Sequence, residues 1–247
     1  MQTARDTLIG IEAAAVRSWP ALETADIGGW LWRYASGGSL RANSVSTLAF
    51  GNGDVAVAIL EAERRYRAKG AACRFTITEV SQPADLDAQL STLGYTRGED
   101  HATMAKRVAA GGQPPGDVEL SPEPTPDWLA VYLAGLGPDR KQIAPTILAG
   151  LPKHRVFFAC RRSGTVVASG LSIADGALAS VQCMATLASA RRQGCAQAVL
   201  GAIEAWAAAQ GCAQLYLQAE LANTGAIALY EGFGFYVAGR YHLHTKR

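Results

Sequence analysis

Apolar residues recur three and four positions apart over 6–18 and again over 54–69, where Gly70 closes the run, and both segments predict helices. Between them "GGWLWRYASGGSLRANSV" predicts a hairpin turning at Gly37 and Gly38. "CRFTITEV" then predicts a strand and "PADLDAQLSTLGY" a short helix. After residue 117 the same order returns. "DVELS" predicts a strand, 127–151 helices, and "RVFFACRRSGTVVASGLSIA" a hairpin turning at Ser163 and Gly164. A strand at "ALASVQCMA", a helix, the strand "AQLYLQAE", a short helix and a last strand follow. In the longer of these helices Val199, Leu200, Ile203 and Ala207 fall on one face, and Gly211 is placed to stop it.

The stretch "VAAGGQPPGD" at 108–117 has neither period and predicts a linker. The two halves it separates share a register. Gly94 and Tyr95 precede Gly234 and Phe235 by 140 positions, and Lys106 and Arg107 precede Lys246 and Arg247 by the same offset. One ungapped shift therefore covers a helix-to-strand turn and the end of the next strand, which points to an internal duplication.

Composition narrows the function classes. With 49% hydrophobic residues in 247, the chain is long enough to bury a sizeable core. No apolar run reaches the length of a membrane span, and the first residues lack a signal-peptide layout, so a soluble cytoplasmic protein is expected. A net charge of +2 with interspersed signs gives no footprint for nucleic acid or membrane. The five cysteines form no CxxC pair, which argues against a disulfide framework or a zinc site. His242 and His244 share a strand face but lack a third ligand in the sequence, so no metal is expected. Cys183 and Cys195 have no histidine in a recognisable partner position and are not expected to act as nucleophiles. The partner left by these exclusions is a small molecule or a peptide.

"RRQGCAQAVLG" raises a charge problem. Arg191 and Arg192 stand where a helix begins, although the unpaired amides and positive dipole end found there favour anions. An external anion resolves it. Gly194 and the small Ala196 leave room for a phosphate at the amides, and either arginine can neutralise it from the side. Alone the pattern is weak, and a solvated helix start with two surface arginines stands beside it.

Downstream, "LYLQAELANTGAIALYEGFGF" adds Asn223, Ala226, Leu229, Tyr230, Glu231, Gly234 and Phe235. Here residues 118–247 resemble the GNAT superfamily of acyl-CoA-dependent N-acyltransferases, whose pyrophosphate loop Q/RxxGxG/A reads Arg191, Gly194 and Ala196, and whose later motif NxxAxxLYExxGF is matched at every lettered position. The first half keeps only the end of that motif: Leu90 and Ser91 stand where Tyr and Glu are wanted, and no RxxGxG/A precedes its helix. The chain therefore resembles tandem GNAT proteins with one working half. The implied fold is mixed α/β, with a degenerate unit over 1–110, a linker over 111–117 and a transferase unit over 118–247. Each unit would be a twisted, mostly antiparallel sheet flanked by helices, with a splayed parallel strand pair.

The resemblance implies acetyl-CoA as co-substrate, held by loop residues Arg191, Arg192, Gln193, Gly194, Cys195 and Ala196. Amides of Met184, Ala185 and Thr186 would hold the pantetheine arm and polarise the thioester. Tyr230 would protonate the departing thiolate. Asn223 would touch the cofactor or cap its helix. Glu220, at a strand end, or a relayed water would serve as the base. A base is required because an alkyl ammonium is only ~0.04% neutral at pH 7. The acceptor is a primary amine of unidentified parentage; the alternative is a sensor that binds acyl-CoA without turnover. Arg33, Arg41 and Asn43 would face the cleft between halves and select an acceptor anion, or else be polar residues at a sheet edge.

Overall fold

The computed structural model describes residues 3–51, 53–109 and 116–247, so the middle of the expected linker lies outside the described residues. Thr3 starts α1 (Ala4–Ser18) with a capping box: its hydroxyl accepts from the Asp6 amide while the Asp6 carboxylate accepts from the Thr3 amide. The first tight hairpin joins β1 (Glu23–Ile27) to β2 (Trp30–Tyr34) and turns at Gly28 and Gly29, both at positive φ. β2 does pair antiparallel with the next strand, β3 (Val45–Ser46), at Leu31 and Ser46, but Gly37 and Gly38 lie in a longer loop that passes through a 3-10 turn (Arg41–Asn43) rather than in a tight turn. Asn43 is the physical reason. Buried in that loop, it accepts from the Ala35 amide (2.8 Å) and donates to the Gly37 and Ser39 carbonyls (3.1 and 2.8 Å), which satisfies backbone groups that lie off the ladder.

The first half continues with α2 (Val55–Ala68), β4 (Cys73–Thr78), α3 (Leu86–Thr92), β5 (Thr96–Arg97) and β6 (His101–Arg107). The second contains β7 (Val118–Ser121), α4 (Pro126–Ala134), α5 (Pro138–Ala149), β8 (Arg155–Arg162), β9 (Thr165–Asp175), β10 (Leu178–Ser180), β11 (Gln182–Thr186), α6 (Cys195–Ala209), β12 (Gln214–Glu220), α7 (Thr224–Gly232) and β13 (Tyr236–Lys246). The β8–β9 hairpin turns at Ser163 and Gly164, as the sequence predicts. The helix ends at the 140-residue offset are built alike: the Tyr95 amide bonds the Leu90 carbonyl and the Phe235 amide bonds the Tyr230 carbonyl, so Leu90 stands where Tyr230 does.

All strands join one mixed sheet, ordered β1-β2-β3-β4-β13-β6-β12-β10-β9-β8-β7, with β11 on β9 and β5 on β13. The pairs β3–β4 and β10–β12 are parallel and the others antiparallel. The last strands of the halves are exchanged: β13 lies between β4 and β6, and β6 lies between β13 and β12. His242 and His244 help to hold that exchange. Contrary to the sequence reading they do have a third group nearby, since both Nε2 atoms meet Asp87 Oδ1 of α3, at 3.0 and 2.6 Å. The Asp87 carboxylate meets one ring nitrogen of each of these buried imidazoles and clamps α3 to β13.

Helix α6 lies across β9 with Val199, Leu200, Ile203 and Ala207 all fully buried, the larger three contributing roughly 1.5–3 kcal/mol each. Gly170 permits that approach, because a Cβ there would lie 2.5 Å from Val199 Cγ1. On the opposite face Trp128 anchors α4, its indole donating to the Gly170 carbonyl at 2.9 Å. Among the described residues no helix is long and apolar enough to cross a membrane.

Candidate active site

The site grows from a parting of strands. β10 pairs with β12 only as far as Ser180 opposite Tyr216, and the Val181 amide makes the last bond, to the Tyr216 carbonyl (2.8 Å). Beyond it β11 follows β9 and, among the described residues, shares no ladder with β12. A bulge at Cys183 (φ 52°) and Met184 bends β11 away. The Leu187 amide bonds the Val167 carbonyl, so alternation along the strand commits the Ala185 amide to β9 and turns that of Thr186 toward the gap.

At the end of β11 a 3-10 turn (Ala188–Ala190) leads into an exposed loop, tied back by the Gln193 side chain donating to the Ser189 carbonyl (2.9 Å). Arg192 (φ 61°) and Gly194 (φ 77°) are both left-handed, one residue apart. A Cβ at Gly194 would meet no atom within 4 Å, so the glycine serves the backbone angle rather than clearance. No side chain caps α6, and its ladder opens with the Ala198 amide on the Gly194 carbonyl (2.9 Å). The amides ahead of that bond have no helical partner, and Arg191 and Arg192 stand exposed beside them. Cys195 is buried below it and Ala196 half-buried.

The first half is built differently at both places. Asp54 fills the start of α2, its carboxylate accepting from the Ala56 and Val57 amides (2.8 and 3.3 Å), so a protein anion occupies that helix end. The parting of β3 and β4 is bridged by Thr47, whose hydroxyl donates to the Thr76 carbonyl and meets Ser81 Oγ.

A cavity of about 480 Å³ opens between the halves, walled by Cys183, Met184, Ala185, Gln218, Glu220, Asn223 and Tyr230 from the second and Trp19, Arg41 and His101 from the first. The structure thus gathers Met184, Ala185, Glu220, Asn223 and Tyr230 in one wall, while Thr186 and the loop 191–196 lie outside it. Tyr230 is 8% exposed and its hydroxyl, among the described residues, has no protein partner. Burial pushes its pKa up to about 12, so the phenol keeps its proton at neutral pH. Asn223 caps α7 through the Ala226 amide (3.2 Å). Burial likewise pushes the Cys183 thiol up to about 12, against a contact from Tyr132, which suits a non-nucleophilic role.

Of the three polar residues read from the first half, only Arg41 reaches this cavity. Arg33 is buried, and its guanidinium donates to the carbonyls of Trp19, Val16 and Arg41, which makes it a strut. Asn43 staples the loop described above. His101 is the residue that sequence reasoning missed. It stacks on Tyr241 (centroids 4.7 Å apart) and sits opposite Glu220 in the β6–β12 ladder. Its Nδ1 meets the Glu99 carbonyl at 3.1 Å; because a carbonyl only accepts, that contact makes Nδ1 the donor. Its signal in the sequence was its place in a duplicated strand, but only the strand exchange carries it into the second half's cleft. Glu12 of α1 was also missed. Fully buried, it accepts from Thr103 Oγ1 and from Gln218 Nε2 (3.0 Å), and burial, opposed by those bonds and by Arg41, raises its pKa to about 7.

A family profile described as "Probable histone acetyltransferase Rv0428c C-terminal" matches residues 7–244. The chain belongs to this family. Among relatives, an "Uncharacterized N-acetyltransferase YobR" of Bacillus subtilis (strain 168) is 29% identical over 251 residues, 98% of this chain and 100% of that one. A GCN5-related N-acetyltransferase from Kribbella flavida superposes with TM-score 0.68 at 18% identity, covering 99% of this chain and 96% of the other. A tandem GNAT protein from the clavulanic acid biosynthesis pathway gives 0.63 at 14%, covering 98% and 94%. The GNAT fold accounts for the splayed strands and for the loop that closes them.

Proposed function

We propose that the cleft moves an acetyl group from acetyl-CoA to a primary amine by direct attack, with both substrates bound. The observation that carries this reading is a cavity lined by the unpartnered Tyr230 phenol beside a parted strand pair, with the uncapped start of α6 following the strand that bends away. The loop 191–196 holds the diphosphate; Met184 and Thr186 offer amides to the pantetheine arm and the thioester carbonyl. The acceptor approaches from the cavity side. His101 Nε2 takes its ammonium proton, with Glu220 beside it drawing the cation in. The freed nitrogen attacks the thioester carbon, the C–N bond forms as the C–S bond breaks, and Tyr230 gives its phenolic proton to the leaving thiolate. The acylated nitrogen then gives its surplus proton to the Tyr230 phenolate, directly or through water, and solvent accepts the proton held by His101. In the first half the capping carboxylate of Asp54 and the Thr47–Ser81 bridge leave no comparable path, which supports its being the degenerate copy.

Free-thiol release from acetyl-CoA over a panel of primary amines tests the proposal. The wild type is expected to accelerate release with at least one amine. Tyr230→Phe is expected to lose roughly 10² to 10⁴ in turnover while binding acetyl-CoA as before. An undiminished Tyr230→Phe turnover removes that residue from the chemistry, and silence across the panel leaves an acyl-CoA sensor as the better account.

A further inference from the structure

The first half gives the cavity a cation held with unusual care. Arg41 donates from Nη1 to Gln218 Oε1 (2.9 Å), and its guanidinium lies 5.6 Å over the Trp19 ring. Its main chain is fixed as well, the carbonyl accepting from Arg33 Nη1 and Ser44 Oγ at 3.0 Å each. Gln218 is oriented in turn by its own donation to Glu12. Among the described residues no carboxylate lies within ion-pair distance of Arg41, so a half-buried charge points into the cavity with a neutral amide and an indole as its supports.

A second arginine stands on the same cavity wall. Arg140 of α5 lines it, also without an ion pair among the described residues. The two come from different halves and are brought near each other at Gly38: a Cβ there would lie 2.6 Å from the Asp139 carbonyl and 2.5 Å from Ile143 Cγ2. The Arg41 loop is thus pressed directly onto the helix carrying Arg140. Against these two cations the cavity wall holds one carboxylate, Glu220, which faces His101.

We infer that the acceptor is a small amino carboxylate, its amine directed to His101 and Glu220 and its carboxylate held by Arg41 and Arg140. The inference rests on the transferase reading for the identity of the amine, but the anion site is a binding property that stands apart from turnover. An arginine fork matches a carboxylate in two parallel bonds, and a fork already oriented by Gln218 and Trp19 loses little freedom on binding. The same two charges repel a lysine-rich peptide, so basic tails are poor acceptors on this reading.

The test is calorimetry with the full chain, using primary amino carboxylates of two to four carbons between the groups, each beside its carboxamide. For the best of them the carboxylate is expected to bind at least about ten-fold more tightly than its carboxamide, the range of a charged hydrogen bond. Arg140→Gln is expected to shrink that preference to about two-fold or less. Because Arg140 is exposed and has no side-chain bond among the described residues, this variant is expected to fold as the wild type does, which thermal melting checks; Arg41→Gln, which gives up the bond to Gln218 and the contact with Trp19, serves as the second variant. Equal affinity for carboxylate and carboxamide, no saturable binding of either, or a preference unmoved in both variants overturns the inference. Failure of the transferase reading has another signature: saturable, arginine-dependent binding without thiol release.

Discussion

Tyr230 and Leu90 hold corresponding positions in the two copies, each closing its helix through its own carbonyl, yet only the tyrosine carries a proton to give. The halves therefore differ chemically at this residue, although the same backbone turn closes both helices. Glu12 is a second case in which one side chain sets a property of the whole. Its carboxyl has a folded pKa of about 7 against an ordinary value of 4.5, so the folded protein binds more protons than the unfolded chain between those limits. Stability must then fall as pH rises through that window, because ionisation places an unpaired charge in the interior. Glu12→Gln is expected to raise the melting midpoint at pH 8, by an amount corresponding to at most about 3 kcal/mol, and to change it little near pH 4.5. Thermal melts of both proteins across pH check this, and a variant that melts lower at pH 8 contradicts the assignment.

At the scale of elements, two helices with the same place in the duplication begin in opposite ways. α2 takes Asp54 as its anion, whereas α6 begins on left-handed Gly194 and leaves its amides open. This contrast was legible in the sequence, since an Asp before an apolar run and an RxxGxA before another are both local signals. The β8–β9 turn and the face of α6 were legible for the same reason. What local signals missed depends on distant partners. Gly37–Gly38 reads as a tight turn; Asn43 knits it into a wider loop between β2 and β3, and its bonds appear only when the chain is folded. Thr103, Gln218 and Glu12 likewise meet only because α1 lies across the exchanged strands. The packing of α6 gives a sharp expectation. Gly170→Ala places a methyl 2.5 Å from Val199 Cγ1, an overpacking that costs roughly 1–3 kcal/mol, so denaturant melts should show the loss. A variant as stable as wild type means that α6 is not seated against β9 as described.

For the whole molecule, the exchange of β6 and β13 is the consequential fact. Residues 118–247 contain the matched motifs, but β12 pairs along all seven of its residues with β6 of the first half. Removing the first half strips that edge and also removes Arg41 and His101 from the cavity. A 118–247 fragment is expected to aggregate or to lack a cooperative thermal transition, and a fragment that folds cooperatively as a monomer contradicts the exchanged sheet as a requirement. The register between copies pointed to duplication; the exchange could not be read from it, because strands of like pattern fit either neighbour.

The central claim is that the loop at 191–196, and not its counterpart at Asp54, cradles the diphosphate of the acyl donor. Calorimetric titration of the intact chain with acetyl-CoA tests it most directly. The expected result is saturable binding of one molecule per chain, weakened when Gly194 is replaced by valine. Two molecules per chain, or no saturable heat at millimolar ligand, contradicts it.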